Sequence, residues 1–147
     1  MAKETKLTRS LEDYLEAILL LETKNRVARV KDIANELGVQ MPSVTGALKN
    51  LKKRGYINYE KNSFISLTEE GMQVAQNIQN RHDTVTEFLE QVLLLPHDKA
   101  ADEACKIEHV ITQETAIRLK NCTDYLENEL LKKNKKVRNQ WEQILNQ

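Results

Sequence analysis

Residues 30–55, VKDIANELGVQMPSVTGALKNLKKRG, constrain the fold more than any other stretch of the chain. Val30, Ile33, Ala34 and Leu37 recur at helical spacing, and Gly38 supplies a left-handed stop. Pro42 suits the first turn of a second helix, with Val44, Leu48 and Leu51 as its buried face and Gly55 at its end. Ala34 is small where the two helices must approach closely. Such a pair is a helix-turn-helix, and its second helix can enter a major groove about 12 Å wide. Gln40, Ser43, Thr45 and Lys49 face away from the apolar stripe, where hydroxyls can reach phosphates or base edges and Lys49 the backbone. Lys52, Lys53 and Arg54 extend this surface toward Lys61, while Gly46 leaves a gap in it. Cations at a helix C-terminus explain Lys52 to Arg54 taken alone. They do not explain the order of elements on either side.

That order is informative. TRSLEDYLEAILLLETKN places Leu11, Tyr14, Leu15, Ile18, Leu19 and Leu21 on one helical stripe, with Thr8 or Ser10 as cap. YINYEKNSFISLT alternates as two strands do, with Ile57 and Tyr59 in the first, Phe64 to Leu67 in the second, and Asn62-Ser63 as a tight turn. A helical period runs from Glu69 to about Leu94, where Pro96 breaks it. Two further helices are expected near 98–110 and 112–130, split and capped at Thr112. The expectation is a mostly α protein. Residues 1–70 form a winged helix-turn-helix DNA-binding domain, and residues 71–147 a helical domain.

Composition agrees. With four glycines and two prolines in 147 residues, a barrel or sandwich is disfavoured. No apolar run approaches the roughly 20 residues of a membrane span, and MAKETKLTRS lacks a secretory core. A cytoplasmic protein without membrane contact is expected, and two cysteines there are no disulfide framework. Charge is uneven: residues 26–61 hold 8 basic and 3 acidic side chains, whereas residues 69–130 hold 5 and 13. An anionic partner for the first lobe and cations for the second fit that asymmetry, as does simple solubility.

The second half also gathers scarce donors. Cys105, Glu108 and His109 stand at i, i+3 and i+4 in DEACKIEHVIT, in a chain with two cysteines and three histidines. His82 lies on the long helix, and Asp13 and Glu16 share a face of the first. Acidic pairs and single histidines are commonplace, but sulfur and nitrogen donors clustered with carboxylates suit one or two divalent cations. Cys122 has no ligand-spaced neighbour and reads as a small buried residue. His97 receives no role.

SLEDYLEAILLLE, ARVKDIANELGVQMPSVTGALKNLKKRGYINYEK, RH…EFL and DEACKIEHVIT together resemble the diphtheria toxin repressor family of metal-dependent transcription regulators, over about residues 8–130. The resemblance implies a winged-helix DNA-binding domain and a helical dimerisation domain. It also implies a metal that switches the homodimer to its operator-binding form. Asp13, Glu16 and His82 match the manganese-responsive branch, which places Glu where this chain has Cys105 ahead of Glu108 and His109. Cys105 matches the iron-responsive branch instead. That branch, however, has Met in the place of Asp13, and ancillary ligands where Thr86 and Ala101 stand. Nor is there length for the small SH3-like C-terminal domain of its longer members. The implied ligands are Asp13, Glu16, His82, Cys105, Glu108 and His109. Because oxygens outnumber the single sulfur, Mn2+ is expected ahead of Fe2+, with Co2+ or Zn2+ able to bind in vitro.

The expected activity is that of a repressor of metal-uptake genes, not an enzyme. Its partners are a second copy of the chain and double-stranded, pseudo-palindromic operator DNA. The acidic lobe, residues 69–130, is expected to supply the interface through its apolar stripes, including Phe88, Leu89, Val92 and Leu93 or their neighbours. The tail beyond the resemblance carries an apolar stripe of Val137, Trp141, Ile144 and Leu145, expected to pack on the dimer. Two other classes stay open: a metal-independent redox regulator sensing through Cys105, and a metal hydrolase.

Overall fold

The computed structural model describes residues 7–61 and 63–147. Residue contacts group the chain up to Gln79 as one unit and from Asn80 onward as a second, with one helix, α4 (Glu69–Gln91), running through the division.

In the first unit, α1 (Arg9–Asn25) starts at Thr8, whose side chain accepts from the Leu11 backbone N–H. Five of the six expected stripe residues are buried (Leu11, Tyr14, Leu15, Ile18 and Leu21), and Leu19 packs half-buried against them. Arg26, at φ 64°, turns the chain out of the helix. The turn after α2 (Val30–Leu37) uses Gly38 at φ 63°, and Val39 N–H closes it on Ala34 C=O at 3.0 Å. Helix α3 (Met41–Lys53) carries Pro42 in its first turn and buries Val44, Leu48 and Leu51 completely.

Strands β1 (Ile57–Asn58) and β2 (Ser66–Leu67) pair antiparallel with Ile57 opposite Leu67, and are shorter than the alternation suggested. Ile65 instead pairs with Ala28, its N–H donating to the Ala28 carbonyl at 2.9 Å, so the segment before α2 borders the hairpin. Asn62, the first half of the expected turn, lies outside the described residues. At the start of α4, the Thr68 hydroxyl donates to Gly55 C=O at 2.7 Å and accepts from Gly71 N–H at 3.1 Å. A Cβ at Gly71 would collide with the Tyr56 carbonyl, so only glycine allows this approach.

In the second unit, α4 ends three residues earlier than its periodicity suggested, because Leu94 adopts φ 57°. Pro96 leads into α5 (His97–Ile107), which stops short of the expected residue 110. Thr112 caps α6 (Gln113–Tyr125), its side chain accepting from Thr115 N–H at 3.2 Å. The expected run to residue 130 continues as a π-helical segment, Leu126–Leu131. Val85, Leu89, Ala100 and Ala104 form the core, flanked by Phe88, Leu93, Ile107 and Leu119.

Three expectations change here. Leu89 and Val92 are buried within their own chain and cannot face a partner, because α4's apolar stripe is used by its neighbours. Cys122 is exposed, since α6 turns Ala116 and Thr123 inward instead. In the tail, Asn134 caps α7 (Lys135–Leu145), accepting from Lys136 and Val137 N–H. Its Trp141 indole N–H donates to Val92 C=O of the same chain at 2.6 Å. The apolar stripe thus meets the chain's own second unit, enclosing a pocket of about 220 Å³ with Leu126, Leu130 and Leu131.

Candidate metal centre and nucleic-acid interface

The capping geometry at the end of α5 builds the candidate metal centre. Glu108 sits at the C-cap, its N–H bonded to Ala104 C=O and its own carbonyl accepting from Arg81 Nε at 2.8 Å. These two bonds fix the backbone from both sides and aim the carboxylate inward, where it is 2% exposed. A buried carboxylate needs partners to offset lost hydration. His82 Nδ1 lies 2.6 Å from Glu108 Oε2, and His109 Nε2 lies 3.3 Å from Oε1. Cys105, one turn earlier on α5, places Sγ 3.7 Å from His82 Nδ1 while remaining exposed.

The donor atoms of His82, Cys105 and Glu108 all fall within 4.8 Å of one another. Ligands at bond lengths of about 2.0–2.3 Å around one tetrahedral ion stand roughly 3.3–3.8 Å apart. The sulfur–nitrogen distance already fits that spacing. The His82–Glu108 contact is a hydrogen bond, and it would need to widen by about 1 Å for both atoms to hold one cation. Sulfur, nitrogen and oxygen donors are thus present in a usable arrangement. Asp13 and Glu16, half-buried on one face of α1, belong to the first unit. The charge of Asp13 adds to burial, the larger cause, in raising the neighbouring Tyr14 pKa.

On the helix-turn-helix, Gln40, Ser43, Lys49, Lys52, Lys53 and Lys61 are exposed, and Thr45 and Arg54 are half-buried. Lys49, Lys53 and Arg54 line one open groove with Asn50, whose Oδ1 accepts from Arg54 Nε at 2.7 Å. Lys52 leans instead to the hairpin, with its Nζ 2.9 Å from Glu60. Thr45 bonds back to Met41 C=O at 3.1 Å. Open space surrounds the missing side chain of Gly46. Sequence reasoning missed a second groove, which brings Arg29, Lys31, Tyr59 and Phe64 beside Thr45 and Lys61. The Ala28–Ile65 pairing helps bring these distant stretches together, and no local pattern signals it.

A winged helix-turn-helix in one unit and a cysteine–histidine–carboxylate cluster in the other are the parts of a DNA-binding regulator that responds to a metal. Residues 6–64 match the iron-dependent repressor N-terminal DNA-binding domain, and residues 68–133 match the iron-dependent repressor metal-binding and dimerisation domain. The chain belongs to this family: it is a metal-dependent, DNA-binding transcriptional regulator and not an enzyme, and DNA and a second copy of itself are its partners.

It is 39% identical over 115 residues to an HTH-type transcriptional regulator of Methanocaldococcus jannaschii, covering 78% of this chain and 92% of that one. Among solved structures it is similar to IdeR of T. acidophilum, with 28% identity and a TM-score of 0.66 over 74% of this chain and 51% of that one. The manganese regulator SloR gives 27% identity and a TM-score of 0.70 over 81% and 55%. The chain therefore spans about half the length of these two solved proteins. No helix among the described residues is long and apolar enough to cross a membrane.

Proposed function

We infer that the protein is a cytoplasmic repressor of metal-uptake genes, activated by Mn2+ ahead of Fe2+, that binds pseudo-palindromic operators as a homodimer. Residues 1–70 act as the DNA-binding domain and residues 71–147 as the metal-binding and dimerisation domain. His82, Cys105, Glu108 and His109 hold metal, and Asp13 and Glu16 complete one or two sites per subunit. Gln40, Ser43, Thr45, Lys49, Lys52, Lys53, Arg54 and Lys61 meet the DNA.

The observation that supports this most is the convergence of His82, Cys105 and Glu108 within 4.8 Å. A bound divalent cation supplies the positive charge that holds these donors together once the thiol and imidazole have lost their protons. Glu108, fixed at both backbone groups, holds its place while His82 and Cys105 adjust. Asp13 and Glu16 stand on α1, which packs directly against α2 and α3, so a pull on those carboxylates reaches the helices that read DNA. Hard oxygens from three carboxylates favour Mn2+, and the similar protein SloR is a manganese regulator. Because affinity rises along the series toward Zn2+ whatever the site, geometry and supply select the cellular metal.

The test is to select duplexes from a random pool with metal-loaded protein, then measure their affinity with Mn2+, Fe2+ or Zn2+, anaerobically and under reducing conditions. Binding that appears with metal and disappears with chelator is the expected result. Binding that ignores chelators but is lost with peroxide would establish the alternative, a redox sensor acting through exposed Cys105.

A further inference from the structure

The groove between α3 and the hairpin has a composition that the recognition helix alone does not explain. It is open, about 500 Å³, and its lining includes Arg29, Lys31 and Lys61 but, among the described residues, no carboxylate. Thr45 of α3, Tyr59 beyond β1 and Ser63 supply the remaining polar side chains. Arg29 takes extended backbone at the start of α2, beside the Ala28–Ile65 pairing, which brings it next to Phe64. Its guanidinium carbon stands 5.0 Å from the centre of the Phe64 ring. That ring is 52% exposed.

We propose that this groove seats a stretch of DNA phosphodiester backbone, and that Arg29, held in place by the Phe64 ring, is the cation that fixes it there. This rests on the DNA-binding reading above and adds a contact belonging to the hairpin rather than the recognition helix. The chemistry favours arginine in this role. A guanidinium is weakly hydrated, so one face can lie on an aromatic ring while its edge presents N–H donors to phosphate oxygens. An ammonium in the same place would lose hydration on the ring and offer no fork. The ring removes rotamers that a long exposed side chain otherwise samples, so less freedom is lost when the phosphate arrives. Lys31 and Lys61 then add point charges from α2 and the hairpin. Among the described residues no acidic side chain lines the groove to neutralise them, in contrast to Lys52, which is already paired with Glu60. Such a contact positions the duplex without reading its sequence.

Because phosphate contacts are sequence-independent, the probe is a mixed-sequence duplex of about 40 base pairs, long enough for a dimer spanning several helical turns. Its affinity for metal-loaded full-length protein is measured across a salt series for wild type, Arg29→Gln, Phe64→Leu, Phe64→Tyr and the double variant Arg29→Gln with Phe64→Leu. Thermal unfolding of each is followed in parallel. The slope of log affinity against log salt is expected to become shallower by about 1.8 in Arg29→Gln, the signature of one lost phosphate contact in each protomer of the bound dimer. Phe64→Leu is expected to weaken binding roughly two- to fivefold, Phe64→Tyr to retain it, and Phe64→Leu to add nothing in the Arg29→Gln background.

An Arg29→Gln protein with the wild-type slope overturns the proposal, even if its unfolding temperature falls, because Arg29 would then serve stability alone. A Phe64→Leu effect that persists in full without Arg29 overturns the seat. Wild-type protein that fails to bind DNA at all removes the DNA-binding reading together with this one.

Discussion

Single residues show where the fold leaves no freedom. Gly71→Ala forces a methyl group into the Tyr56 carbonyl, and backbone cannot swing aside as a side chain can. The expected cost is about 1–3 kcal/mol, read as a lowered denaturation midpoint at unchanged m-value; an unshifted midpoint would contradict the close approach. Glu22 is a different case. One carboxylate oxygen accepts from Leu67 N–H at 3.3 Å, and the other is buried without a partner. Burial raises its pKa above the usual 4.5, and the Leu67 bond only partly opposes this. The native state therefore keeps the proton to higher pH than the unfolded chain does. The resulting stability is complete below the unfolded value and is lost as pH rises through the raised native value. Glu22→Gln should remove that downward slope, as denaturant titrations from pH 4 upward would reveal; an identical slope in the variant would mean that Glu22 is not its source. Cys105 adds a spectroscopic prediction. The Co2+ protein should show sulfur-to-metal charge transfer in the near ultraviolet, absent in Cys105→Ala, and a band that survives the substitution would exclude Cys105 as a ligand.

At the scale of elements, legibility follows how local the determining interactions are. Thr8, Gly38 and Pro42 each act within a few residues, so α1 to α3 could be read with their caps and buried faces. The end of α5 was harder, because Glu108 turns inward through a bond from Arg81, twenty-seven positions away. Cys105 and Glu108 stand out as candidates because a scarce sulfur donor sits at helical spacing from a carboxylate, and the structure brings His82 of α4 near them. The groove holding Arg29 and Phe64 was not legible, as a backbone pairing between distant segments helps to create it. The tail was legible as an amphipathic helix but not in its docking, which depends on the indole of Trp141 reaching the carbonyl of Val92. Trp141→Phe should keep the helix and lose that bond, costing about 0.5–1.5 kcal/mol. Amide exchange in residues 135–145 should quicken more than elsewhere; uniform exchange along the chain would show that the indole contact does not anchor α7.

For the whole molecule, the account joins a metal centre in one unit to a DNA-reading surface in the other, within a homodimer. With Leu89 and Val92 spent on the chain's own core, an interface must draw on apolar residues left outside it, among them Val110, Ile117 and Tyr125. Ile117→Glu should weaken the dimer about tenfold or more in sedimentation experiments, as loss of a central apolar contact does, and an unchanged dimer would place the interface elsewhere. The central claim is that ligand geometry at Glu108 governs DNA affinity. Its most direct test is a pair of titrations on one sample series, metal occupancy by Co2+ absorbance and duplex binding by anisotropy, in wild type and His82→Ala. The account predicts that DNA affinity rises in step with occupancy in wild type, and that both shift together to higher metal concentration in the variant. DNA affinity that stays constant across the metal titration, or that His82→Ala leaves untouched while occupancy falls, would contradict it.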